Sequence, residues 1–245
     1  MKVVILGGTK GMGRALARQL FEAGHDIALL GRDKDDLERS AVDLAVRRQG
    51  GKVSSFVCDL EQHETIEPAL QTADAALNGF DTVVVTAGLF ATQDKLEADA
   101  DFARRVLLVN FTNTVVFCEA ARKRLLGRGG GTLCVFSSVA GDRGRKPVAI
   151  YGASKAGLSH YLESLDFKFR AAGLKTICVK PGFVKTAMTA GLKAPPFAGE
   201  PEGVAKLVVR AISRGTPVLY APPMWRWVML VIKRLPRFVM RKISF

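Results

Sequence analysis

Apolar positions along the chain fall into short, largely β-branched runs separated by longer stretches with helical patterning. The runs are Val3-Val4-Ile5-Leu6, Ile27-Ala28-Leu29-Leu30, Val53 to Val57, Thr82-Val83-Val84-Val85, Leu133-Cys134-Val135-Phe136, Thr176-Ile177-Cys178-Val179 and Val218-Leu219-Tyr220. Strands of this kind alternating with helices predict βαβ units and a parallel sheet, because each parallel crossover needs a helix to return the chain.

The expected fold is therefore α/β: a Rossmann-type doubly wound parallel sheet of about seven strands, with helices on both faces. A chain of 245 residues, 48% of them hydrophobic, can bury one large core in a single domain. Two places break the rhythm. Gly182 to Pro201, rich in Pro, Gly, Ala and Lys, predicts a lid over about 183–201, and the segment after Pro222-Pro223 predicts an appendage. The expected division is a dinucleotide-binding and catalytic domain over 1–222 and a basic amphipathic segment over 223–245.

Charge sharpens the reading of that segment. The chain carries a net charge of +13, and Arg226, Lys233, Arg234, Arg237, Arg241 and Lys242 fall in residues 223–245, where there is no acid. Trp225, Val228, Met229 and Ile232 share one helical face, with Arg226, Lys233 and Arg237 on another. The run is too short to span a bilayer, but Trp and basic residues suit a helix lying on a membrane surface. The alternative is a helix folded onto its own domain or a partner protomer, its cations solvated. No zinc-finger or RNP motif supports nucleic-acid binding.

Cys58, Cys118, Cys134 and Cys178 lie far apart in apolar runs and read as buried thiols. His25, His63 and His160 lack metal-ligand spacing, so no metal site is expected. The N-terminal apolar run is too brief for a signal peptide. The expected location is cytoplasmic, peripheral at the inner face of the membrane.

Chemistry enters with Leu6-Gly7-Gly8-Thr9-Lys10-Gly11-Met12-Gly13, which follows a predicted strand and opens a helix expected to start near Arg14. Such glycines let backbone amides approach a pyrophosphate at a helix N-terminus; the plainer alternative is a tight turn needing positive φ. After the second strand comes Gly31-Arg32-Asp33, without an acid at the strand end for the ribose hydroxyls. Arg32 and Lys10 can instead flank a 2′-phosphate, favouring NADPH. NADH remains the alternative, with Arg32 solvated and Asp33 capping the helix or reaching the ribose.

Tyr151-Gly152-Ala153-Ser154-Lys155 places a phenol and an ammonium on one helical face. A phenol of pKa about 10 is a poor acid near neutrality, and a neighbouring cation is expected to lower that value. Phe136-Ser137-Ser138 ends the fifth strand, where ligands of open α/β sheets bind, so Ser138 is placed to meet a carbonyl.

Together with Cys58-Asp59-Leu60, Thr86-Ala87-Gly88, Asn110 and Pro181-Gly182-Phe183-Val184-Lys185-Thr186, these motifs resemble, in order, those of the short-chain dehydrogenase/reductase family over roughly residues 1–190. The resemblance implies that Tyr151 protonates a carbonyl oxygen, Lys155 binds the nicotinamide ribose and tunes the tyrosine, Ser138 orients the substrate, and Asn110 anchors a water relay. It implies a cofactor site of Gly7, Thr9, Lys10, Gly11, Met12, Gly13, Arg32, Asp59, Leu60, Ala87, Gly88, Tyr151, Lys155, Pro181, Gly182, Val184 and Thr186. Asp59 would contact adenine and Thr186 the carboxamide side. Two positions depart from the pattern: the family usually has Thr at Leu6 and Asn at Thr86.

From Tyr151 onwards the chain is similar to decaprenylphosphoryl 2-keto-pentose reductases of arabinan precursor synthesis. The shared residues include Ser154-Lys155-Ala156-Gly157-Leu158, Met188, Leu192-Lys193, Ala194-Pro195, Ala221-Pro222, Arg226, Val228-Met229, Pro236-Arg237 and Arg241-Lys242. That resemblance implies a keto-sugar on a polyprenyl phosphate as substrate, a homo-oligomer, and a partner oxidase that supplies the ketone; pattern and composition require none of these. Another lipid or acyl ketone, ketosphingoid or 3-ketoacyl, makes the same demands on the catalytic set. A cofactor-binding regulator or scaffold is the alternative from another class, but it has no need of Ser138, Tyr151, Lys155 and Asn110 together.

Overall fold

The computed structural model describes residues 1–195 and 197–243; Pro196 of the expected lid and residues 244–245 of the expected tail lie outside it. Seven parallel strands form one sheet in the order β3-β2-β1-β4-β5-β6-β7. They are β1 (Lys2–Leu6), β2 (Asp26–Gly31), β3 (Val53–Val57), β4 (Thr82–Val85), β5 (Gly131–Phe136), β6 (Leu174–Pro181) and β7 (Val218–Ala221). The helices are α1 (Gly11–Glu22), α2 (Lys34–Ala45), α3 (Ile66–Leu77), α4 (Gln93–Ala98), α5 (Ala100–Leu107), α6 (Asn113–Gly127), α7 (Ala149–Phe169), α8 (Pro201–Arg214), α9 (Met224–Arg234) and α10 (Arg237–Lys242).

Alternation along each strand splits the interior in two. Val4 and Leu6 of β1 join Val83 and Val85 of β4 beneath α3, α6 and α7. Val3 and Ile5 face the other way, with Val84 and Ile177, beneath α1, α2 and α8. Successive side chains of a strand point to opposite faces, so strands covered on both sides must be apolar throughout. This is why the sequence shows unbroken runs.

Local chemistry sets the helix ends. The Asp33 carboxylate accepts the Asp36 amide at 2.9 Å and caps α2. Pro201 opens α8, and Gly215 closes it with φ +65°. α1 begins ahead of the expected Arg14, because the last glycines of the loop belong to its first turn.

All four cysteines are free and buried. Among the described residues, no group of three or more His, Cys, Asp or Glu is arranged to hold a metal ion, and no helix is long and apolar enough to cross a membrane.

Candidate active site

The order of the sheet reverses between β1 and β4, and the chain leaves both strands at their carboxyl ends, opening a crevice there. Gly7 turns away from β1 with φ +92°, and a Cβ on it would lie 2.6 Å from the Ala87 amide nitrogen. A Cβ on Gly13 would lie 2.2 Å from the Gly7 carbonyl oxygen. Thr86, one of the departures from the family pattern, donates its hydroxyl to that same Gly7 oxygen at 2.9 Å and so braces the loop. Lys10, at the N-cap of α1, makes no side-chain cap. The first-turn amides therefore keep their donors for an anion.

A cleft of about 400 Å³ follows this loop. Gly7, Thr9, Lys10, Gly11, Met12, Gly13, Arg32, Asp59, Leu60, Ala87, Gly88 and Thr186 all line it. At its far end Lys10 pairs with Asp36 at 2.6 Å, and Arg32 pairs with Glu61 at 3.1 Å. Arg105 holds Glu61 from the other side at 2.8 Å, and these cations keep the Glu61 carboxyl below its usual range. Of the two roles open to Asp33 in the sequence, the structure shows it capping α2.

A second cleft of about 380 Å³ shares Met12, Gly88 and Thr186 with the first. It brings together Ser138, Tyr151, Lys155, Pro181, Gly182 and Val184. Lys155, only 5% exposed, donates from Nζ to the Phe136 carbonyl at 2.9 Å, and its Nζ lies 5.9 Å from the Tyr151 ring centre. Burial pulls its pKa down to about 8. The expected lowering of the Tyr151 pKa does not appear: burial pushes the phenol up, while the Ser138 hydroxyl and the Arg145 guanidinium pull the other way. Phe90 stands edge-on to the Tyr151 ring at 4.9 Å.

Ser138 also accepts the Ala140 amide at 3.0 Å and so starts the turn after β5. Ser137 bridges the Lys155 carbonyl at 2.8 Å and Ser159 at 2.7 Å, tying α7 to β5. Asn110 is fully buried in a single π-helical turn, Leu108–Thr112. Its amide side chain receives the Leu89 N–H and donates to the Leu89 carbonyl, each at 2.7 Å. Both ends thus brace the loop after β4, and Asn110 lines neither cleft. Each end keeps a second hydrogen-bonding position, so the pair of bonds to Leu89 leaves a water contact open.

Sequence reasoning missed Arg145, Phe183 and Lys193 as walls of the second cleft. Of the two placements the sequence left open for the tail helix, a membrane surface or its own domain, Trp225 takes the second: it lines the cleft and is 8% exposed. Its indole lies where a Cβ on Gly182 would fall, 2.0 Å away, so glycine alone fits beneath it. Phe197 of the expected lid meets the same ring edge-on at 5.1 Å. The helical periodicity held the signal, since Trp225, Val228, Met229 and Ile232 do share a face. That face packs on Val139, Phe183 and Tyr220 rather than turning outward.

The glycine cradle and the free helix amides fit a dinucleotide, which Gly7 to Gly13, Asp59, Ala87 to Gly88 and Thr186 would hold beside Tyr151 and Lys155. A nicotinamide bound there would supply hydride to a carbonyl carbon. In this arrangement Tyr151 Oη would give its proton to the carbonyl oxygen, Ser138 would orient that oxygen, and the Arg145 and Lys155 cations would stabilise the phenolate left behind.

Residues 1–196 match the family model described as short chain dehydrogenase. An uncharacterised oxidoreductase of Mycobacterium tuberculosis is 32% identical over 98% of this chain and 96% of its own length. Carbonyl reductase family member 4 of Danio rerio is 31% identical over 77% of this chain and 78% of its own. Among solved structures, an actinorhodin polyketide ketoreductase variant with NADPH superposes with a TM-score of 0.80 at 22% identity, covering 89% of this chain and 95% of that one. Because the family match runs from the first strand into the loop beyond Thr186, the chain belongs to the short-chain dehydrogenase/reductase family and is an NAD(P)-dependent oxidoreductase.

Proposed function

We propose that the protein reduces a ketone carried on an anionic lipid, a polyprenyl-phosphoryl 2-keto-pentose, to the corresponding alcohol, with NADPH as hydride donor. The observation that carries this reading is the lining of the Tyr151 cleft. Phe90, Val139, Val148, Phe183, Leu192 and Trp225 give it apolar walls, its charged members are Arg145, Lys155 and Lys193, and no acid lines it among the described residues. Such a lining suits an aliphatic chain with a phosphate near the reacting carbon. The likeness of residues 151–242 to keto-pentose reductases points the same way.

Arg32 and Lys10 at the far end of the cofactor cleft support NADPH, since both can turn from their carboxylate partners to a 2′-phosphate. A clear advantage of NADH in kcat/KM would overturn that preference. Another acyl or lipid ketone is the second reading, favoured by the carbonyl reductase and ketoreductase among the similar proteins.

The deciding experiment follows NADPH and NADH oxidation with polyprenyl-phosphoryl 2-keto-pentose in detergent, beside 3-ketoacyl and ketosphingoid substrates. Turnover with the keto-sugar that disappears in Tyr151→Phe supports the proposal. Turnover confined to the other ketones replaces it with the second reading.

A further inference from the structure

α9 has two apolar sides, and only one is covered. Trp225 and Met229 are buried on the body, with Val228 and Ile232 packed beside them. Met224, Trp227, Leu230 and Val231 recur at three- and four-residue spacing on the other side and stand in solvent, Trp227 at 62% exposure. Phe238 continues the exposed apolar surface in α10. A helix on the surface of a globular domain ordinarily turns a polar side outward. Here the polar residues around the open side are cations, Arg226, Lys233, Arg234 and Arg237 among them, all exposed and with no acid in the segment.

We propose that this outer side of α9 and α10 docks on an anionic lipid surface. The charge and the apolar stripe select the same occupant. Aromatic and aliphatic side chains at the open face enter the headgroup boundary, and the surrounding Lys and Arg meet lipid phosphates. A second copy of this chain brings the same positive charge to the contact and is repelled.

The dock is joined to the substrate cleft. The inner side of the same helix supplies Trp225 to the cleft wall. Arg143 donates to the Leu235 carbonyl at 2.9 Å and Lys146 to the Arg241 carbonyl at 2.6 Å, tying α9 and α10 to the loop that carries Arg145. A lipid surface on the outer side therefore lies one helix diameter, about 10 Å, from the cleft wall, within the length of a lipid chain. The dock does not depend on the keto-sugar reading, since it is read by binding alone.

The full chain is tested by sedimentation with vesicles of phosphatidylcholine mixed with phosphatidylglycerol, against phosphatidylcholine alone. Binding to the anionic vesicles, falling steeply as salt rises, is expected. The triple variant Trp227→Gln, Leu230→Gln, Val231→Gln and the pair Arg234→Gln, Arg237→Gln are each expected to lose about tenfold or more in vesicle affinity, while reduction of a small soluble ketone stays unchanged. Tryptophan emission shifts to the blue on vesicle addition in the wild type and not in Trp227→Phe. Wild-type protein that stays in the supernatant at low salt overturns the proposal. So does a dimer that the triple variant dissociates while vesicle binding persists, which assigns the face to self-association.

Discussion

The two clefts at the carboxyl ends of the strands are nearly equal in volume, about 400 and 380 Å³, yet they are built from different material. The first centres on a glycine turn, with Asp33, Asp36, Asp59 and Glu61 among its lining and its cations already paired. The second is aromatic and aliphatic side chains around a proton-transfer set, with cations and no acid among its described lining residues. The glycine cradle of the first cleft, Gly7 to Gly13, is one contiguous stretch, joined by residues that follow β2, β3, β4 and β6. A site that recognises through side chains is assembled from the end of β5, α7, the segment 183–193 and α9, which are distant in the sequence.

The sharpest way to test this division is to damage each cleft alone. Tyr151→Phe removes the proton donor and is expected to slow ketone reduction by about 10²–10⁴-fold, with cofactor affinity nearly intact in a fluorescence titration. A variant that retained its rate would place the proton donor elsewhere. Gly13→Ala strikes the other cleft. The added Cβ meets the Gly7 oxygen, so a loss of roughly 1–3 kcal/mol in stability and a weakened cofactor complex are expected from thermal unfolding and the same titration.

Within the substrate cleft, Arg145→Gln separates anion recognition from proton transfer. It is expected to lower kcat/KM for a phosphate-bearing ketone by about 10–100-fold and to affect a small neutral ketone less. Equal losses on both substrates would reduce Arg145 to tuning Tyr151. The smallest effect is a pH dependence. Lys155 titrates at 10.5 unfolded and at about 8 in the fold, so between these values the unfolded chain holds the extra proton and stability rises with pH. Relative to Lys155→Met, the wild type is expected to gain roughly 1–3 kcal/mol across that window in urea unfolding. A flat difference would mean that Lys155 titrates alike in both states.

The same contrast explains what the sequence made legible. Strands covered on both faces are apolar nearly throughout, so β4 ends where its run ends, while β3, at the sheet edge, keeps Ser54 and Ser55 and is only partly buried. β5 and β6 extend further because Gly131, Thr132, Lys180 and Pro181 pair without being apolar. Tyr151 and Lys155 were visible because a helix fixes the geometry of residues four apart. Arg145 was not, because a cation in a loop carries no sign of whether it faces water or a cleft. For α9 the apolar face was found, but a helix also apolar at Met224, Trp227, Leu230 and Val231 does not say which side turns inward. The role that resemblance implied for Asn110 rested on residue type, which carried no sign of the pair of bonds its side chain makes to the Leu89 backbone.

The bonds from Arg143 and Lys146 to α9 and α10 end on main-chain carbonyls. A carbonyl survives every side-chain replacement, so these two anchor points are insensitive to what occupies positions 235 and 241 as long as the chain keeps its path. Leu235 and Arg241 can therefore be replaced while the attachment of the tail persists. A comparison of tails by identity alone would then understate how closely they are related in shape.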